Sequence, residues 1–183
     1  MKQHLPPRES LAYAPRYCEE NIFRLIADHG LTGEQYHVLF ISNPTRFVAM
    51  KQQRAACSHS VVYWDYHVVL LFCGEPSIIW DFDTRLPFPY GARAYLHKSF
   101  PPANSGNSAP FFRVIPAKHF MVQFHSDRSH MRDADGNYTA PPPPWPAIEP
   151  ERGNWIGRLL DSGSEETVPF VSLYALLSLL PPE

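Results

Sequence analysis

The chain has 183 residues, enough for one domain with a sizeable core and too few for two comfortable ones. Hydrophobic residues at 44% against 19% charged mark a globular chain, and a net charge of −2 argues against the basic excess a nucleic-acid surface needs. No apolar run reaches bilayer length, MKQHLPPRES lacks the apolar centre of a signal peptide, and three cysteines without tight spacing point to a reducing compartment rather than a disulfide framework.

Residues 1–15 read as a flexible N-terminal arm and 16–183 as a single domain. In "RYCEENIFRLI" the positions Ile22, Phe23, Leu25 and Ile26 share one helical face, which predicts a helix over 18–29 stopped by Gly30. "QYHVLFIS" (35–42) is rich in strand formers and ends at Asn43-Pro44. "VVYWDYHVVLLFC" (61–73) is the strongest strand signal, and "SIIWDFDTRL" (77–86) reads as its hairpin return after Gly74-Glu75-Pro76. A short helix is predicted over 92–98, a surface loop over 101–110 and a strand over 111–117. "KHFMVQF" (118–124) fits helix or strand. "PPPPWPAIEP" (141–150) is too proline-rich for a helix or central strand and should pack through Trp145, and "SLYALLSLL" (172–180) closes the chain as an apolar helix. A helix followed by antiparallel strands gives an α+β class, the N-terminal helix packing its cysteine on an antiparallel sheet.

Three residue types carry the chemistry. Cys18 lies at a helix start, where orphan N–H groups and the dipole favour a thiolate. Glu19 and Glu20 oppose this, so a cation must offset them; the plainer reading is a small buried residue. Cys57 and Cys73 lack a helix start. His67, among aromatic and β-branched neighbours, needs a hydrogen-bond partner if buried. Asp81 and Asp83 alternate by two and share a strand face. With Gly74–Pro76 as a three-residue loop, His67 opposes Asp83 and has Asp81 on the diagonal. Counting does not choose between them. Cysteine, histidine and aspartate together supply a nucleophile, a base and an orienting acid. The Cys57/His59 and His125/His130 pairs lack zinc spacing, and residues 126–137 lack the spacing of an EF-hand, so no metal is expected.

"YCEENIF", "FISN", "KQQ", "WDYHVVLL", the D-x-D-T…LPFP run, "SDRSHM" and "PPPPWP" occur in an order that resembles the protein N-terminal glutamine amidohydrolase family from about Tyr17 to the C-terminal helix. The resemblance implies a papain- or transglutaminase-like α+β fold and a triad of Cys18, His67 and Asp81, with Asp83 in support. It implies deamidation of an N-terminal glutamine to glutamate with release of ammonia through a thioester, feeding the N-degron route of degradation. Partners are then proteins or peptides with a free N-terminal glutamine, without cofactor, nucleic acid or membrane. The protein is expected as a monomer in the cytoplasm and nucleus. Carboxylates suited to the substrate's α-ammonium are Glu19, Glu20, Asp65 and Asp127, and Trp64, Tyr66 and Trp80 are candidate pocket walls. A papain-like thiol protease and a non-catalytic binding module are the rival uses of the same fold.

Overall fold

The computed structural model describes residues 5–57, 60–100, 107–161 and 168–181. His59 and the 101–106 part of the expected surface loop lie outside them. A six-stranded antiparallel sheet is covered by helices on both faces. Its central strand β1 (Tyr36–Ser42) pairs with β4 (His67–Phe72) on one side and β7 (Phe111–Pro116) on the other. β5 (Ile78–Trp80) and β6 (Tyr90–Gly91) continue the sheet beyond β4, and β8 (Val171–Ser172) closes it beside β7. A second, two-stranded sheet joins β2 (Val48–Met50) to β3 (Val62–Trp64). Among the described residues no helix is long and apolar enough to cross a membrane.

The period-two rule assigns the faces. Val38, Phe40, Val68 and Leu70 pack on one side against α1 (Cys18–His29), α3 (Ala117–Gln123) and α4 (Ile156–Leu160). Leu39, Ile41, Val69 and Leu71 pack on the other against α2 (Ala92–Ser99) and α5 (Leu173–Leu179). Burial on both faces explains why β1 and β4 read as almost continuous apolar runs rather than alternating ones. α1 has the predicted bounds, and Gly30 ends it with φ 64°, a left-handed conformation that glycine adopts without Cβ strain.

Two expectations change and one open choice is resolved. The run 61–73 is two strands in two sheets, not one. The chain breaks between them where Asp65 Oδ1 accepts the Tyr66 N–H at 2.9 Å, while the Ser42 hydroxyl holds the Asp65 carbonyl at 2.7 Å. The return strand stops at Trp80 because Asp81 Oδ1 accepts the Asp83 N–H at 2.9 Å and turns the chain. The ambiguous "KHFMVQF" is helical: Pro116 ends β7 and caps α3, and Phe120 and Phe124 stack at 4.9 Å one turn apart.

The stretch read as an arm makes specific contacts from Leu5 onward. Arg8 donates to the carbonyls of Thr84 (2.7 Å) and Leu86 (3.0 Å), and Asn21 brackets the Ala14 backbone through its amide at 2.8 and 2.9 Å. On the far side of α1, Glu20 is fully buried. Its carboxylate takes both arms of the Arg128 guanidinium at 2.8 Å and the Trp145 indole N–H at 2.8 Å. That one side chain ties the "SDRSHM" and "PPPPWP" segments to the helix. Removing one partner of such a pair leaves an uncompensated buried charge, so Arg128→Ala should cost about 3–5 kcal/mol of unfolding free energy in urea. A loss within experimental error would show that the pair does not clamp these loops.

Candidate active site

The start of α1, the start of β4 and the turn after β5 meet at one end of the main sheet, beside a cavity of about 620 Å³. Cys18, Trp64, Asp65, His67 and Asp83 all line it. Cys18 is the first residue of α1 and is 8% exposed. Its sulfur accepts the Val68 N–H and lies 3.5 Å from Glu19 Oε2. Burial first, then the Glu19 and Asp83 carboxylates, push the thiol pKa well up, and the Val68 amide pulls the other way. The helix dipole is worth only about 0.3–1 kcal/mol at an ordinary terminus. It acts in the same sense as the Val68 amide, against the burial and the two carboxylates.

His67 is 2% exposed, and its Nε2 meets Asp81 Oδ1 at 2.9 Å. The register is the one counted for a three-residue loop, with Leu70 opposite Trp80 and Leu71 opposite Ile79. The strand ends before that register reaches Asp83, so the diagonal residue Asp81 receives the imidazole. Asp81 is also buried, and Oδ2 accepts from the Tyr95 hydroxyl at 2.8 Å and from Gln53 Nε2 at 3.2 Å. Burial alone raises a carboxyl pKa; the His67 contact and the donors around it outweigh this and hold Asp81 below its ordinary 3.8. Burial likewise lowers the imidazole pKa, but the Asp81 carboxylate wins and leaves His67 above 6.5. The indole of Trp64 stacks on the His67 ring with centroids 6.0 Å apart and 16° between planes.

The other expected residues separate. Asp65 lines the cavity but is exposed. Glu19 is fully buried behind it: Oε2 takes the Tyr66 hydroxyl at 3.1 Å, and Oε1 faces His130 Nε2 at 3.3 Å without hydrogen-bond alignment. Glu20 spends its carboxylate on Arg128 and Trp145, and Asp127 caps the Ser129 N–H at 2.8 Å. Glu19, Glu20 and Asp127 are not cavity walls. Tyr66 lines the cavity, whereas Trp80 is core and packs on Tyr36. Asp83, expected as a support, opens on the cavity, with Tyr13 donating to its Oδ1 at 2.6 Å. Donor atoms of His67, Asp81 and Asp83 lie within 4.8 Å of one another, close enough to enclose an ion. Both Asp81 oxygens already accept protein donors, so the cluster fits a hydrogen-bonded acid–base pair better than a metal centre.

Sequence reasoning assigned no role to Gln53, Tyr95 or His130. Gln53 lies in "KQQ" and His130 in "SDRSHM", so the motifs contained them without stating what they hold. Asn154 Oδ1 accepts the Ile156 N–H at 3.0 Å, so its NH₂ points to His130 Nδ1 at 2.7 Å. Tyr95 carried no signal beyond its place in a predicted helix.

A family profile described as N-terminal glutamine amidase matches residues 13–168. The chain belongs to the N-terminal glutamine amidase family. It is 41% identical over 153 residues to the protein N-terminal glutamine amidohydrolase of Homo sapiens, covering 79% of this chain and 74% of that protein. The proteins of the same name from Danio rerio and Arabidopsis thaliana are 36% identical over 152 residues and 35% over 154, covering 79% and 77% of this chain and 75% and 70% of theirs. In this amidase the His67–Asp81 contact has a signed consequence for pH. The contact raises the folded-state imidazole pKa, so its stabilisation is complete below the ordinary imidazole range and fades as pH rises through the raised value. Asp81→Asn removes the charge and leaves the burial, so a ring-proton NMR titration should show the His67 midpoint falling below 6.5. An unmoved midpoint would mean that Asp81 does not set the histidine's charge.

Proposed function

We propose that this amidase hydrolyses the side-chain amide of an N-terminal glutamine, leaving glutamate and releasing ammonia, with Cys18 as nucleophile, His67 as acid and base, and Asp81 as the orienting carboxylate. Family membership makes it a hydrolase of a carbon–nitrogen bond. One observation carries the assignment of roles: Asp81 occupies Nε2 of His67, on the wall of the same cavity as Cys18, which reserves Nδ1 for the thiol proton.

Burial and the neighbouring carboxylates disfavour a free thiolate, so in this reading proton loss accompanies attack. His67 Nδ1 takes the proton as sulfur bonds to the amide carbon, and the carbonyl electron pair moves onto oxygen. N–H groups of the first turn of α1, which have no acceptor within the helix, suit that oxyanion. Collapse of the adduct breaks the carbon–nitrogen bond while His67 gives its proton to the nitrogen, so ammonia leaves a thioester. His67 then deprotonates a water that attacks the thioester, and the sulfur departs and recovers a proton from the imidazolium. Asp81 stabilises the charged ring in both halves, which is the work its four donors prepare it for.

The order of helix-borne cysteine, strand-borne histidine and aspartate after the next strand supports a papain- or transglutaminase-like assignment. The chain then works as a single-domain monomer in the cytoplasm and nucleus, and its glutamate product enters the N-degron route. Ammonia release from a Gln-initiated peptide tests the chemistry. Cys18→Ala should lower it by roughly a thousandfold or more, because members of such a unit fail together. New peptide ends in place of ammonia would convert the reading to that of a protease, and unchanged release from Cys18→Ala would remove the triad.

A further inference from the structure

The difference between a glutamine at the start of a chain and one within it is an α-ammonium, so the site must present a counter-charge a fixed reach from the sulfur. We infer that Asp83 receives the substrate's α-ammonium and thereby imposes the free N-terminus; the inference rests on the amidase reading of the same cavity.

Asp83 stands on the cavity wall with Cys18 and His67, and one of its oxygens lies within 4.8 Å of the His67–Asp81 pair. Its negative charge is felt at the Cys18 sulfur. The Tyr13 hydroxyl holds Oδ1 at 2.6 Å and so aims the carboxylate. Oδ2 has no hydrogen-bond partner among the described residues; the His67 and Arg54 charges favour the ionised form of Asp83, but neither stands within ion-pair distance of it there. Its backbone is pinned on both sides: the N–H goes to Asp81 Oδ1 and the carbonyl accepts the Arg54 N–H at 2.7 Å. The side chain is half-buried, and burial pushes its pKa up. A carboxylate held rigidly in that setting, with an oxygen to spare, gains most from an arriving cation.

The alternatives are weaker. Asp65 shares the cavity but is exposed and bonds its neighbour's amide, and exposed ion pairs contribute little. Glu19 is fully buried and is not on the cavity wall; its Oε2 is taken by the Tyr66 hydroxyl and lies against Cys18. Glutamine and asparagine differ by one methylene, so an anchor on the α-nitrogen sets which of the two places its side-chain amide carbon at the sulfur. The same carboxylate therefore accounts for selection of glutamine over asparagine.

The test compares kcat/KM for ammonia release from a Gln-initiated peptide and from the same peptide with its α-amino group replaced by hydrogen. The wild-type protein should favour the amine strongly. Asp83→Asn should lower activity on the amine by about thirtyfold or more relative to the desamino peptide, so that the preference collapses. Equal losses on both peptides would assign Asp83 to support of His67 and overturn the inference while leaving the amidase reading intact. Collapse of the preference in Asp65→Asn instead would also overturn it. Absence of ammonia release by the wild-type protein would fail the amidase reading itself. If Asp83→Asn does not fold, Asp83→Glu keeps the charge and moves it one methylene along. Its Asn-to-Gln activity ratio should rise, and an unchanged ratio overturns the inference.

Discussion

Asp81 carries a negative charge into a place almost without water, and the arrangement at this end of the protein follows from satisfying it. Taking a carboxylate out of water costs several kcal/mol even after the surroundings relax. Four donors offset that cost: the imidazole of β4, the hydroxyl of Tyr95 on α2, the amide of Gln53 and the N–H of its own turn. These groups come from separate stretches of chain, so the charge is tolerable only when the folded sheet, its helix cover and the connecting loop are all in place. The same charge leaves His67 easier to protonate than burial would allow.

The first turn of α1 shows how a helix can serve several partners at once. Successive residues project about 100° apart, so consecutive side chains point to different sides. Cys18 reaches the cavity, Glu19 the Tyr66 hydroxyl and His130, Glu20 the Arg128–Trp145 pair, and Asn21 the backbone of Ala14. All of them are buried, which is unusual for a helix start. The turn is enclosed on every side by segments that its own polar groups recruit. Of the two carboxylates beside Cys18, Glu20 holds Arg128 and Trp145, and Glu19 pushes the thiol pKa up.

Asp81 and Asp83 divide what looks like one motif. They lie two residues apart, yet one is sealed against the imidazole and the other opens on the cavity. The turn created by Asp81 accepting the Asp83 amide separates them. Tyr13 then holds the second carboxylate from a segment whose sequence suggested no role.

Local periodicity determined a good deal. Apolar spacing and Gly30 bounded α1, strand formers located β1 and β4, and the count across Gly74–Pro76 gave the hairpin register on the condition of a three-residue loop. These features depend on residues near one another in the chain, where geometry is nearly fixed by bond lengths and repeat. The ordered motifs implied Cys18, His67 and Asp81 as a set, and the fold puts Cys18 and His67 on one cavity with Asp81 against the imidazole. Tertiary structure decided the remainder: where the 61–73 run breaks, that α3 is helical, that Asp81 and not Asp83 meets the ring, and that Glu20 belongs to Arg128, 108 residues away. A buried charge takes whichever partner the packed chain brings within hydrogen-bond reach, and no pattern along the sequence records that distance.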